Sequence, residues 1–133
     1  MIEIPADILE KVILHSQSGF PLEACGILGG TGNAVASHYP MTNTDASNEH
    51  FMMDPKEQFA VVKALRASGE EMQVIYHSHP ESPARPSQED IRLALTPNVH
   101  HLIVSLQDRE NPVAKAFRIN AGVVETVEII ITV

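Results

Sequence analysis

The chain has 133 residues, 44% of them apolar and 20% charged, enough to build one core and too apolar for an intrinsically disordered segment. Seventeen acids against nine bases leave a formal charge of −8, which argues against nucleic acid or an anionic membrane surface as partner. No run approaches the roughly 20 apolar residues of a membrane span. The opening MIEIPADILEKV carries acids where a basic leader would stand, and the lone Cys25 has no disulfide partner. We therefore expect one domain over residues 1–133, working in a reducing cytoplasm.

Residues 1–5 read as a short β-like opening. Ile8, Leu9, Val12 and Ile13 then fall on one face of a helix over 6–17, broken by Gly19, Phe20 and Pro21. Residues 22–30, rich in small side chains, predict a buried strand. Thr31-Gly32-Asn33 turns it into a return strand over 34–39, and 41–53 predicts a polar surface loop. Asp54 as N-cap, Pro55 at N1 and Glu57 at N3 open a second helix. Phe59, Val62 and Leu65 are its expected buried stripe, and Ser68-Gly69 its end. A core strand over 72–79 leads into a proline-rich loop and a short helix over 88–95, which ends before Thr96-Pro97. Strands near 100–106, 113–119 and 123–132 complete the chain, joined by hairpin turns at 107–112 and 120–122. In the last strand Val123, Val127, Ile129 and Ile131 share a face. Strands and helices alternate early and strands dominate late, which predicts an α/β or α+β class.

The informative segment is His77-Ser78-His79-Pro80 with Ser87 and Asp90 downstream. Residues i and i+2 of a strand point to one face, roughly 6.5–7 Å apart along the chain, so His77 and His79 can converge on one ion while Ser78 points away. Both stand at a strand's C-terminal end, where α/β sheets commonly carry sites. Asp90 lies one turn into the next helix. Two imidazoles and a carboxylate suit zinc, and three protein ligands leave its fourth position open, as in catalytic sites. Each piece also has a plain reading. An H-x-H strand can be surface or core histidines, and Ser87-x-x-Asp90 is equally a helix capping box. The two readings of the serine and acid are compatible, because both can project from a first helical turn toward the strand end.

The spacing H-x-H-x7-S-x2-D, together with Glu23-Ala24-Cys25-Gly26-Ile27-Leu28-Gly29-Gly30 upstream, resembles the signature of the JAMM/MPN+ (Mov34/JAB) metallopeptidases. The stretch Asn43 to Pro55, with Phe51 and Asp54-Pro55, is also similar to that family's middle region, and the resemblance spans roughly residues 2–119. It implies an α/β fold with a mixed sheet flanked by helices, similar to that of cytidine deaminases. It implies that His77, His79 and Asp90 bind one zinc ion per chain, that Glu23 holds the attacking water, and that Ser87 faces the oxyanion. The chemistry is coherent. A glutamate beside the water can take its proton and return it to the leaving amine, and a hydroxyl can stabilise the tetrahedral intermediate. A surface acid at position 23 reads poorly beside apolar Leu22, Ala24, Cys25 and Ile27.

Cys25 is expected in the core, and His15, His38, His50, His100 and His101 as surface or core histidines. One cysteine is too few for the H-x-E…P-C-x-x-C deaminase signature, and HExxH, GxSxG and P-loop motifs are absent. The compact chain resembles stand-alone prokaryotic members of the family. The expected substrate is therefore a ubiquitin-like or sulfur-carrier protein with a C-terminal Gly-Gly tail, since glycine lets the backbone pass close to the metal. The alternatives are a general metallopeptidase acting on other conjugates or peptides, and a non-catalytic MPN scaffold.

Overall fold

A computed structural model describes residues 1–96 and 98–133. In chain order the elements are β1 (Ile2–Pro5), α1 (Ala6–Gly19), β2 (Cys25–Thr31), β3 (Ala34–Met41), α2 (Pro55–Ser68) and β4 (Glu71–His79). They are followed by α3 (Gln88–Arg92), β5 (His100–Ser105), β6 (Val113–Asn120), β7 (Val123–Val127) and β8 (Ile129–Thr132). The class is α/β, with one mixed eight-stranded sheet in the order β7-β6-β5-β4-β2-β3-β1-β8. β4 pairs parallel with β5 and antiparallel with β2, and β1 pairs parallel with β3 and β8.

β7 and β8 stand at opposite ends of that order, yet Glu128 alone separates them. A flat sheet would part them by about 33 Å at the usual strand spacing. The sheet therefore curls until its ends meet, and the Ile2 amide donates to the Glu128 carbonyl at 2.9 Å. α1 lies in the trough with Ile8, Val12 and Ser16 buried, against Ile2, Ile4, Leu28, Val74, Leu102 and Val104. The other face carries α2 over Cys25, Ile27, Met41 and Met53. Strand alternation divides β4 between the two: Val74 and Tyr76 face α1, while Ile75 faces α2.

α2 begins as its sequence dictates. The Asp54 carboxylate accepts from the Lys56 amide, Pro55 occupies the first turn, and Gly69 ends the helix at φ +73. Glu57 at N3 is diverted to Thr42, whose amide and hydroxyl both donate to it. The turns at Gly32 and at Ala121-Gly122 take the positive φ their residues suggest.

Four expectations need correction. The strand expected from residue 22 begins at Cys25, because Leu22 is exposed and the Glu23 amide bonds the 41–53 loop instead of a strand. In α2 the buried pair is Val61 and Leu65, and Phe59 is exposed. Phe59 lies two residues before Val61, about 200° round the helix, where Lys63 stands over its ring. The helix expected to reach residue 95 stops at Arg92; Pro97, its expected boundary, lies outside the described residues. The strand over 123–132 breaks at Glu128, where the chain leaves β6 and joins β1; Val123 and Ile131 are exposed, although Ile131 pairs with the buried Ile4.

Candidate metal centre and active site

The site forms at the carboxyl end of β4, on the α2 side of the sheet. His77 and His79 are 2% and 5% exposed. Their Nε2 atoms lie 3.1 Å apart, and the Asp90 Oδ2 lies 3.2 Å from the first and 3.1 Å from the second. Ligands around a tetrahedral zinc, with bonds near 2.0–2.1 Å, stand about 3.3 Å from one another. The His79 Nδ1 sits 2.9 Å from the Pro83 carbonyl, a pure acceptor, so Nδ1 carries the proton. In the neutral ring Nε2 then presents a lone pair toward His77 and Asp90. Lone pairs converging at this distance repel one another unless a cation lies between them, so His77, His79 and Asp90 could hold a metal ion.

Without a metal ion, a proton on the His79 Nε2 takes its place and is donated to Asp90. Burial by itself would lower the pKa of His79, but hydrogen bonds to Asp90 and Pro83 and the charges of Asp90 and Glu23 raise it. Burial would raise the pKa of Asp90, yet hydrogen bonds from His77, His79 and the Ser87 amide hold its carboxyl well below the usual range.

The crossover from β4 to β5 brings α3 back across the strand end. The Ser87 Oγ accepts from the Asp90 amide at 3.0 Å, and the Asp90 Oδ2 accepts from the Ser87 amide at 2.9 Å. The capping box and the metal-facing geometry therefore coexist in the same two residues. Because the serine oxygen serves as the cap acceptor, its hydroxyl hydrogen stays free to donate.

Glu23 lies just before β2 and is 4% exposed. The β2–β4 ladder pairs Cys25 with His77. One step on, the Ser78 amide donates to the Ala24 carbonyl at 3.0 Å, and the Ala24 amide donates to the Ser78 Oγ at 2.8 Å. Continued once more, that register sets Glu23 beside His79, on the same face. The Glu23 amide donates to the Ser47 carbonyl and its own carbonyl accepts from the Asn43 amide group. The main chain is thus held on both sides. Its carboxylate oxygen Oε1 is buried without a hydrogen-bonding partner among the described residues, a condition unusual for a carboxylate. Burial, opposed by His79 and reinforced by Asp90 and Glu89, raises its pKa to about 7.

The structure thus gathers His77, His79, Asp90, Ser87 and Glu23 at one strand end. It also adds groups that sequence reasoning missed. Ser78 faces away, as expected, but its hydroxyl anchors the segment bearing Glu23. Asn43 organises the 41–53 loop: its amide group donates to the carbonyls of Glu23 and His50, and its oxygen accepts from the Asp45 and Met52 amides. That loop lays Phe51 flat on His77, ring centroids 4.7 Å apart. No periodicity signals these contacts; they join residues distant in sequence. Of the other histidines, His15 and His38 bond the Tyr76 hydroxyl on the opposite face. His50 pairs with Asp45 at the surface. Cys25 is fully buried, as expected.

Residues 5–120 match a family described as prokaryotic homologs of the JAB domain. The chain belongs to this family. Its relatives include the CysO-cysteine peptidase of Mycobacterium tuberculosis, 35% identical over 126 residues, or 93% of this chain and 86% of that protein. They also include the desampylase of Haloferax volcanii, 31% identical over 115 residues, or 81% and 83% of the two chains. A solved structure from Desulfitobacterium hafniense is 44% identical with a TM-score of 0.90, covering 99% of this chain and 93% of its own. With peptidases for JAB relatives along most of its length, the chain is a hydrolase of the JAMM type. No helix among the described residues is long and apolar enough to cross a membrane.

Proposed function

We propose that the chain is a zinc-dependent hydrolase that cleaves the amide bond following the C-terminal Gly-Gly of a ubiquitin-like or sulfur-carrier protein. The observation that carries this reading is one juxtaposition. Three metal-ligating atoms lie 3.1–3.2 Å from one another, and a buried carboxylate with an unpaired oxygen sits beside them. Zinc held by His77, His79 and Asp90 supplies Lewis acidity, polarising a carbonyl and bringing the pKa of water down to about 7.

The remaining steps belong to the chain. Glu23 accepts the proton of the attacking water and delivers it to the departing nitrogen as the C–N bond breaks. The Ser87 hydroxyl donates to the carbonyl oxygen as negative charge develops there. Asp90 and the Pro83 carbonyl keep the two imidazoles in register. The reacting groups lie deep, at 2–5% exposure for both histidines and Glu23, so the acyl strand must be slim where it passes them. Two glycines meet that demand. The M. tuberculosis relative, named for a CysO-cysteine substrate, lends support to a small carrier protein. The buried lone thiol of Cys25 suits a reducing cytoplasm.

The test is a carrier adduct followed by mass spectrometry, with zinc counted by elemental analysis. Glu23→Gln should keep zinc and lose roughly 10²–10⁴-fold in turnover, whereas His77→Ala should lose the zinc. A zinc-replete, fully active Glu23→Gln enzyme refutes the mechanism. Cleavage confined to unrelated short peptides makes the chain a general peptidase, and a wild type unable to take up zinc makes it a scaffold.

A further inference from the structure

A cavity of about 240 Å³ opens beside the triad, with His77 and Asp90 in its lining. Met52, Met53, Ile75 and Leu93 give it apolar walls. Its lining includes the acid Glu89 and, among the described residues, neither lysine nor arginine. His101 also lines it. This residue pairs with Ile75 across the β4–β5 ladder, is 9% exposed, and leaves its Nε2 buried with no partner among the described residues. A buried nitrogen left unpaired is costly, and a polar atom of a bound molecule could satisfy it.

Two glycines on the acyl side have no side chains to offer. A recess touching two of the three ligands is therefore reached first by the residue on the other side of the scissile bond. We propose that this cavity binds the residue that leaves with the amine, taking an uncharged side chain and pairing its polar atoms with the His101 Nε2. The assignment rests on the Gly-Gly reading above. Apolar walls favour a neutral chain by the area they remove from water. An acidic side chain would be desolvated beside Glu89, with no lysine or arginine among the described lining residues to pair with it.

The test uses zinc-replete protein and a carrier ending in Gly-Gly, joined through the α-amine to methionine amide, glutamine amide or glutamate amide. Mass spectrometry gives kcat/KM for each. Methionine and glutamine should exceed glutamate by about tenfold or more. His101→Leu should lower the glutamine conjugate against the methionine one by about tenfold, chiefly through KM. His101→Gln, which restores a hydrogen-bonding group, should recover it. Equal kcat/KM across the three conjugates overturns the assignment and leaves the Gly-Gly reading standing. No cleavage of any conjugate, with capped short peptides cleaved, overturns the Gly-Gly reading and this assignment with it. The wild-type panel decides the matter even where His101→Leu fails to fold.

Discussion

Ser78→Ala removes one oxygen atom and strands one donor. Ser78 is fully buried, and its Oγ accepts the Ala24 amide at 2.8 Å. With alanine there, the Ala24 N–H stays buried between two strands and loses its partner. That condition costs about 1–3 kcal/mol. For a chain of this length each kcal/mol moves the melting temperature by about 3–5 °C, so the variant should melt about 3–15 °C lower. The functional consequence is separable. Ala24 is covalently joined to Glu23, and a proton-transfer group must hold its place within about 0.5 Å. We expect kcat to fall by about 10–100-fold at temperatures well below melting, with KM and zinc content near wild type. Calorimetry, elemental analysis and steady-state kinetics on one preparation measure all four quantities. An unchanged melting temperature refutes the hydrogen-bond argument. A lowered melting temperature with wild-type kcat refutes the positioning role and leaves Ser78 purely structural.

Two further perturbations follow from the same contacts. Burial foremost, with His15 and Lys11 adding to it, lowers the pKa of His38 to about 4, and burial lowers that of His15. Between about pH 6.5 and 4 the unfolded chain therefore binds more protons at His38 than the folded one, so the stability that His38 contributes falls as pH drops, opposite in sign to the contribution of Glu23. In urea melts the stability difference between wild type and His38→Asn should shift by about 2 kcal/mol from pH 6.5 to 4.5, wild type losing the more; identical slopes refute it. Asn43→Ala removes the side chain that ties the 41–53 loop to Glu23. Limited proteolysis should then cut within residues 43–53 and turnover should fall at least tenfold; a protease-resistant, fully active variant argues against it.

Much of the site was legible in the sequence because its chemistry is local. The H-x-H alternation needs only a strand, and Ser87 with Asp90 needs only a helix start; both geometries are set within a few residues. Asp54, Pro55 and Gly69 bounded α2 for the same reason. What escaped depends on partners far along the chain. Phe59 matched the helical period as well as Val61 did, and the docking of α2 against β2 decides between them. The break at Glu128 leaves no mark in an alternating apolar run; it reflects the competing claims of β6 and β1 on one segment. Gly26 is explained only by the fold: a side chain there would overlap the Tyr76 ring, which the hydroxyl bonds to His15 and His38 pin in place. His101 reads as any core histidine in the sequence; only the fold sets it in the wall of the cavity beside His77 and Asp90.

The two acids of the site are set apart by their surroundings. Asp90 and Glu23 are both largely shielded from water, and burial pushes both pKa values upward. Asp90 faces two imidazole nitrogens and accepts from the Ser87 amide, so the ionised form prevails and the group suits a permanent anionic ligand. Glu23 has its main chain secured by Asn43, Ser47 and Ser78 but one carboxylate oxygen left unpaired, and its pKa rises to about 7. A group balanced there can accept a proton and release it again within one turnover, which a strongly hydrogen-bonded carboxylate cannot do. Pairs of titratable groups driven apart in this way mark a division of labour between holding charge and moving protons. Exchanging the environments would therefore damage both tasks. A new donor to the Glu23 Oε1 would lower its pKa and weaken it as a base, and loss of the Ser87 cap would let Asp90 rise and weaken it as a ligand.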